Sequence, residues 1–298
     1  MSLPPVCMLF YYLPIMRKEI LDPYFYIVPS VFIVGTVLVF PLLYTVYISF
    51  AEKFLGRAVA GFGFQNYSEI FAEGKFLFSL GKSLIFTLIA VAGKLVLGLS
   101  LALFLHRSFR GRAFLRAYFF LPWAIPWFTT AILFFWLFRW TGGINIMLGR
   151  LGMFPVFWLG SDLALYSGVV ANIWKGFPFF FMSLLAGLQA IPRELYEAAQ
   201  VDGAGAFKQF IHVTLPGLRN VILIVCTLST LWTFGLFELL YIMTGGGPGD
   251  ASKVLPIRVY ETGIMMYDYG KGTAMAVLTI PLIALWVFLL VRFTRREA

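Results

Sequence analysis

Apolar residues in this chain come in long runs with no polar face. Six such runs occupy residues 24–50, 83–105, 117–138, 163–191, 221–244 and 272–291. The first lies free of charge between Asp22 and Glu52, and the second is broken only by Lys94. Arg116 and Arg139 bound the third, the fourth contains Lys175, and the fifth carries Glu238 near its end. Arg292, Arg295 and Arg296 follow the sixth. A helix needs about 20 apolar residues to cross a hydrocarbon core, whereas barrel strands are roughly 10 residues of alternating polarity. The pattern therefore predicts an all-α membrane protein with six transmembrane helices.

Composition agrees. Of 298 residues, 60% are hydrophobic and only 12% charged, against about 25% charged in soluble domains; the mean hydropathy is +0.87. Cys7 and Cys226 lie far apart, Cys226 inside a span, which excludes a disulfide framework or a metal spacing. Residues 1–15 are apolar but too short to span, and no basic stretch precedes them, so they do not read as a signal peptide. They suit an interfacial segment; the alternative start is Met16, whose MRKEI sequence suits a cytoplasmic tail. Residues 1–22 are thus expected to form that tail and 23–296 a single transmembrane domain.

Charge between the runs sets an expected orientation, because cytoplasmic loops concentrate Lys and Arg. With the N-terminus inside, inward segments hold twelve such residues and outward segments nine. The contrast is sharper locally, since residues 106–116 pack four arginines, Arg107, Arg110, Arg112 and Arg116, into eleven positions. The expectation is N-in and C-in, in a cell inner or plasma membrane. The net charge of +9 then belongs to the membrane surface, with no call for nucleic acid.

One long inward connection, residues 192–216, is unlike the rest. It reads EAAQVDGAGAFKQFIHVTLP over 197–216. Glu197, Ala198 and Ala199 fall in a short helix after Pro192, a residue suited to a helix start. Asp202-Gly203 is a turn signal. Ala206, Phe207, Phe210 and Ile211 then recur at helical spacing, and Leu215-Pro216 is expected to end the unit before span five. Two short helices joined by a turn project an apolar knob into water, and such a knob needs a partner groove.

The spacing Glu197-Ala198-Ala199, Asp202-Gly203, Val213, Leu215-Pro216 resembles the coupling loop of bacterial ABC-importer permeases, with Val213 where that family has Ile. The stretches FQNYSEIF (64–71), LPWAIP (121–126), GGIN (142–145), AGLQAIPRELY (186–196) and TGGGPG (244–249) are similar to the carbohydrate-uptake branch, to the first permease subunit of the maltose and glycerol-3-phosphate type. The resemblance implies alternating access for a sugar or related solute. It also implies a heterodimer with a second permease subunit, two ATP-binding cassette subunits that hold the ATP and Mg, and an extracytoplasmic solute-binding protein. No catalytic role or cofactor is implied for this chain. An ion-coupled secondary transporter is the alternative.

Transporter sites lie near mid-membrane. There the fourth run holds Asn172 and Gly176, four apart and so on one face, and the fifth holds Thr230 and Thr233. The resemblance also places sugar contacts at Asn172 and Gly176. Lys94 and Lys175 lie near mid-span, where a charge costs about 2.5–3.5 kcal/mol or more. Each is expected to face a cavity or a partner, Glu238 being a candidate at matching depth. Other signals fail: Gly81-Lys82-Ser83 has Phe76 where a phosphate loop needs Gly, and no nucleophile-base constellation is present. Asn66-Tyr67-Ser68 matches a glycosylation sequon, read here as a chance match.

Overall fold

A computed structural model of the chain describes residues 26–52, 59 and 61–295; the expected tail, 1–22, lies outside them. Among the described residues the regular elements are helices, with an isolated antiparallel bridge between Ala51 and Phe62. Span one is α1 (Tyr26–Ser49). A short outer helix, α2 (Gln65–Ala72), leads to span two, α3 (Lys75–His106). Next come α4 (Arg112–Ala124), α5 (Trp127–Phe138) and α6 (Gly143–Arg150). Span four is α7 (Ala164–Ala190), followed by α8 (Arg193–Val201). Span five is α9 (Ala206–Phe234). After α10 (Glu238–Thr244) and α11 (Leu255–Tyr260), the chain closes with α12 (Tyr269–Arg295). Six helical segments are long and apolar enough to cross a membrane, the third being Trp127–Arg150, which takes in α5 and α6.

Three boundaries depart from the sequence expectation. The run 117–138 is two helices, α4 and α5, because Pro126 stops α4 and leaves Ile125 extended at ψ 131°. The run 221–244 ends early: α9 stops at Phe234, and residues 235–237 separate it from α10. Leu215-Pro216 does not end the 192–216 unit either, since α9 runs unbroken from Ala206 through Pro216 to Phe234. The cause is a widened π turn at Phe210–Thr214, where Leu215 donates to the Phe210 carbonyl. That turn carries the helix past a proline that lacks a donor. The same device, a π turn at Gly35–Val39, precedes Pro41 in α1.

Helix α7 is the axis of the bundle, with 61% of its span window buried. It crosses α3 at near-backbone contact: a Cβ on Gly98 would lie 2.5 Å from the Phe180 Cβ and 2.9 Å from the Phe181 N. Small residues permit such approach in membranes, where packing replaces the hydrophobic drive. Phe180, Phe181, Leu184 and Leu105 fill one core beside this crossing. Phe86, Leu239, Leu240 and Met243 fill a second.

Polar side chains latch the loops to the spans. The Asn66 amide donates to the Ser49 and Ala51 carbonyls at 2.9 and 3.0 Å; the sequon asparagine is therefore a buried tie between α1 and α2. Asn145 of the GGIN stretch donates to the Trp140 and Val156 carbonyls and accepts from the Val156 amide and the Trp158 indole. Ser83 accepts from the Leu255 amide at 2.7 Å, and Ser79 accepts from Arg258 at 3.1 Å, which fixes α11 on α3. Lys271 of α12 bonds both Glu69 and Glu73, and its bond to Glu73 holds that carboxyl below the usual range.

Two outcomes test this packing. Gly98→Val is expected to cost about 1–3 kcal/mol by forcing α3 from α7, read as a lower thermal midpoint in detergent, while Gly149→Ala, at a site with open space, leaves it unchanged. Asn145→Leu strips four hydrogen bonds and leaves their backbone partners unpaired, costing about 1–3 kcal/mol. It is expected to open the 151–163 connection to limited proteolysis before the rest of the chain.

Candidate functional site

Two regions carry the candidate residues. The first is the unit after span four. Pro192 precedes α8, which then ends in a closed cap: the Ala204 amide donates to Ala199 at 2.8 Å and the Gly203 amide to Gln200 at 3.0 Å. Gly203 sits at φ +74°, the left-handed conformation this motif requires and glycine tolerates best. The Gln209 side chain closes the turn onto the Ala204 carbonyl at 2.8 Å. Tyr196 and Thr214 share a hydroxyl bond at 3.0 Å, linking α8 to α9. Val213 and Tyr196 pack against the core near Leu188 and Leu218. Glu197, Ala198 and Asp202 are exposed, with Ala199 half-buried.

This unit keeps its apolar tip in solvent. Val201 is 89% exposed and Phe207 75%. Both flank the turn that Gly203 closes. Leu215 and Pro216 lie behind the tip, within the continuous α9.

The second region lies inside the bundle. Lys94 of α3 is 3% exposed, and its amine donates to Thr233 at 2.8 Å and Ser229 at 3.2 Å, both on α9. The lysine stem fills the space left by Gly176, where a Cβ would lie 2.7 Å from the Lys94 Cε. Structure thus brings together Lys94, Gly176 and Thr233. It adds Ser229, which four-residue spacing from Thr233 on one face would have flagged once Lys94 was taken as their partner. Asn172, one turn before Gly176, is fully buried with both amide atoms unpartnered. Thr230 turns elsewhere: its hydroxyl bonds the Cys226 carbonyl of its own helix at 2.8 Å.

Lys175 goes the other way. Its amine donates to the Trp123 carbonyl at 2.6 Å, at the break between α4 and α5. It lies 5.0 and 5.4 Å from the Trp123 and Trp127 ring centroids. Trp123, Phe179 and Trp232 form a continuous ring cluster with centroids 5.2–6.2 Å apart. Glu238 is exposed at the first position of α10, and the polar contacts of both lysines are with other groups, so the expected pairing is not formed. The aromatic cluster escaped the sequence reading because its members come from three helices and share no spacing. Among the described residues no group of His, Cys, Asp or Glu could hold a metal ion.

The chain is similar to known proteins along most of its length. Residues 94–298 match the model of the binding-protein-dependent transport system inner membrane component family. The trehalose/maltose transport system permease protein MalF of Thermococcus litoralis is 36% identical, over 87% of this chain and 89% of that protein. The sulfoquinovosyl glycerol transport system permease protein SmoG of Agrobacterium fabrum is 34% identical, over 85% and 84%. In fold, a chain from the crystal structure of a bacterial ABC transporter involved in the import of the acidic polysaccharide alginate superposes with a TM-score of 0.83. It covers 97% of this chain and 99% of its own at 21% identity. This chain is a multi-pass permease subunit of a carbohydrate-uptake ABC importer and belongs to the binding-protein-dependent transport system inner membrane component family.

Proposed function

We propose that residues 23–296 act as one transmembrane domain that moves a sugar or related small glycoside by alternating access, N-in and C-in. In this reading the capped unit formed by α8 and the start of α9 takes up the stroke of a separate ATPase. The observation that carries it is the exposed Val201 and Phe207 tip on a turn locked by Gly203. A docking element must be rigid to pass force and apolar to be gripped. Helix α9 runs without interruption from that tip into span five, so a push on the unit tilts a whole span.

The heterodimer with a second permease, the two cassette subunits and the solute-binding protein belong to the same reading. The maltose and glycerol-3-phosphate type is its finer form, and relatives named for trehalose/maltose and sulfoquinovosyl glycerol transport support a glycosidic cargo. Asn172, Lys175 and the Trp123, Phe179 and Trp232 rings are the groups proposed to face it. Unpartnered amide atoms suit sugar hydroxyls, and large aromatic faces suit the apolar faces of sugar rings. Lys94, Gly176 and Thr233 form a buried contact between α3, α7 and α9, and Thr230 bonds its own helix.

The experiments follow the two regions. Phe207→Asp is expected to abolish co-purification of the ATPase and reduce uptake to background while the chain still folds. Gly203→Val, which forces a left-handed angle costing about 1–2 kcal/mol on a branched residue, is expected to weaken both. Uptake that persists without any ATPase subunit would instead establish the ion-coupled carrier. Lys175→Ala is expected to lower uptake with ATPase docking intact; unchanged transport removes Lys175 from the pathway.

A further inference from the structure

Apart from the docking tip, the same end of the bundle carries a cavity of about 500 Å³. It lies between the turn after α3, the last turn of α7 and the start of α8. Arg112, Arg116, Arg193 and His106 line it, together with Tyr196 and Gln189, and no acidic side chain takes part in its wall. Arg116 is held in place by a bond from its Nη2 to the Leu105 carbonyl at 2.8 Å. Its Nε is shielded from solvent and has no partner. The described ion pairs lie elsewhere, so among the described residues the cavity gathers three guanidinium groups with no ion-pair partner.

Three like charges around one void repel, and a buried N–H without an acceptor costs stability. One ligand chemistry relieves both. A phosphate group offers several acceptor oxygens at the spacing of guanidinium forks. The volume admits a phosphate and part of what it is attached to, a single water occupying about 30 Å³. The position also fits, because α3 and α7, both long enough to cross a membrane, end beside the cavity. Basic pockets between spans are known sites for anionic headgroups.

We infer that this cavity binds a phosphate-bearing anion, supplied by an anionic phospholipid headgroup or by free phosphate. The bound anion bridges Arg193 of α8 to Arg112 and Arg116 of α4. It thereby fastens the proposed docking helix to the spans it must move. An occupied pocket makes α8 and α4 travel together, and an empty one lets Arg193 swing away from its neighbours.

The test uses the full-length chain in phosphatidylcholine nanodiscs, in two arms. One replaces part of the lipid with phosphatidylglycerol, and the other adds inorganic phosphate. Retained lipid is read by native mass spectrometry and occupancy by the thermal midpoint. The expected result is saturable binding in at least one arm: retention of phosphatidylglycerol identifies a headgroup, and a phosphate-dependent midpoint identifies a soluble anion. Arg112→Gln and Arg193→Gln, which touch no helix-closing bond, are each expected to weaken it about tenfold. Arg110→Gln removes a cation of the same turn outside the cavity and leaves binding unchanged. No saturable binding in either arm overturns the inference. So does an equal loss in Arg110→Gln, which reduces the effect to general surface charge. Failure here leaves ATPase docking at Phe207 untouched, so the two readings are separable.

Discussion

Hydrocarbon offers no hydrogen-bond partner, so each place where this chain leaves regular helix must be closed by its own groups. The Trp123 carbonyl shows what that demands. Pro126 ends α4 in mid-chain, and the freed carbonyl is taken by the Lys175 amine at 2.6 Å. A lysine inside a span and a proline break inside another are each costly alone. Together they satisfy one another, and the pairing fixes how α4 and α5 lean on α7. The π turns before Pro41 and Pro216 meet the same demand by a different route, shifting the donor pattern so that the helix survives the proline.

Where the constraint is met by bending rather than by a new loop, force can pass. Helix α9 is the clearest case. Had Pro216 ended a separate unit, the docking tip would hang on a hinge and its motion would dissipate there. Because the π turn carries α9 through Pro216, the exposed Phe207 and the buried Thr233 belong to one rod. Thr233 in turn accepts from Lys94 of α3. In the proposed docking reading, a displacement at the tip reaches α3 through the Lys94 amine, bonded to both Ser229 and Thr233, near the Gly98 crossing that ties α3 to α7.

Sequence made much of this legible. Long apolar runs announce spans because their signal is composition, which needs no partner; that is why six were expected and six are found. Asp202-Gly203 announced a turn because its chemistry is local, and the Gly203 cap has that form. What escaped was whatever depends on a second helix. Pro126 breaks its helix whereas Pro178 and Pro281 do not, and proline alone does not tell them apart. Ser229 is an ordinary span serine until Lys94 lies across from it. Glu238 was a candidate partner for a lysine only at matching depth, because charge suggests charge. Hydroxyls and a carbonyl do that work here, and no spacing rule could have said so.

The choice of partners matters for what the lysines can do. A carboxylate would neutralise Lys94 and quench its field. Two hydroxyls give the Lys94 amine acceptors but no counter-charge where α3, α7 and α9 meet. Burying an amine there without a counter-charge costs stability, and a purely structural role would be served better by an apolar residue of the same size. Asn172 repeats the argument in neutral form, since a fully buried amide with no bond is more costly than leucine in the same space. Lys94, Lys175 and Asn172 are thus each a poor choice for packing alone. In the proposed reading, a permease that must hold a polar cargo briefly and release it has reason to keep an amide that its own fold leaves unsatisfied.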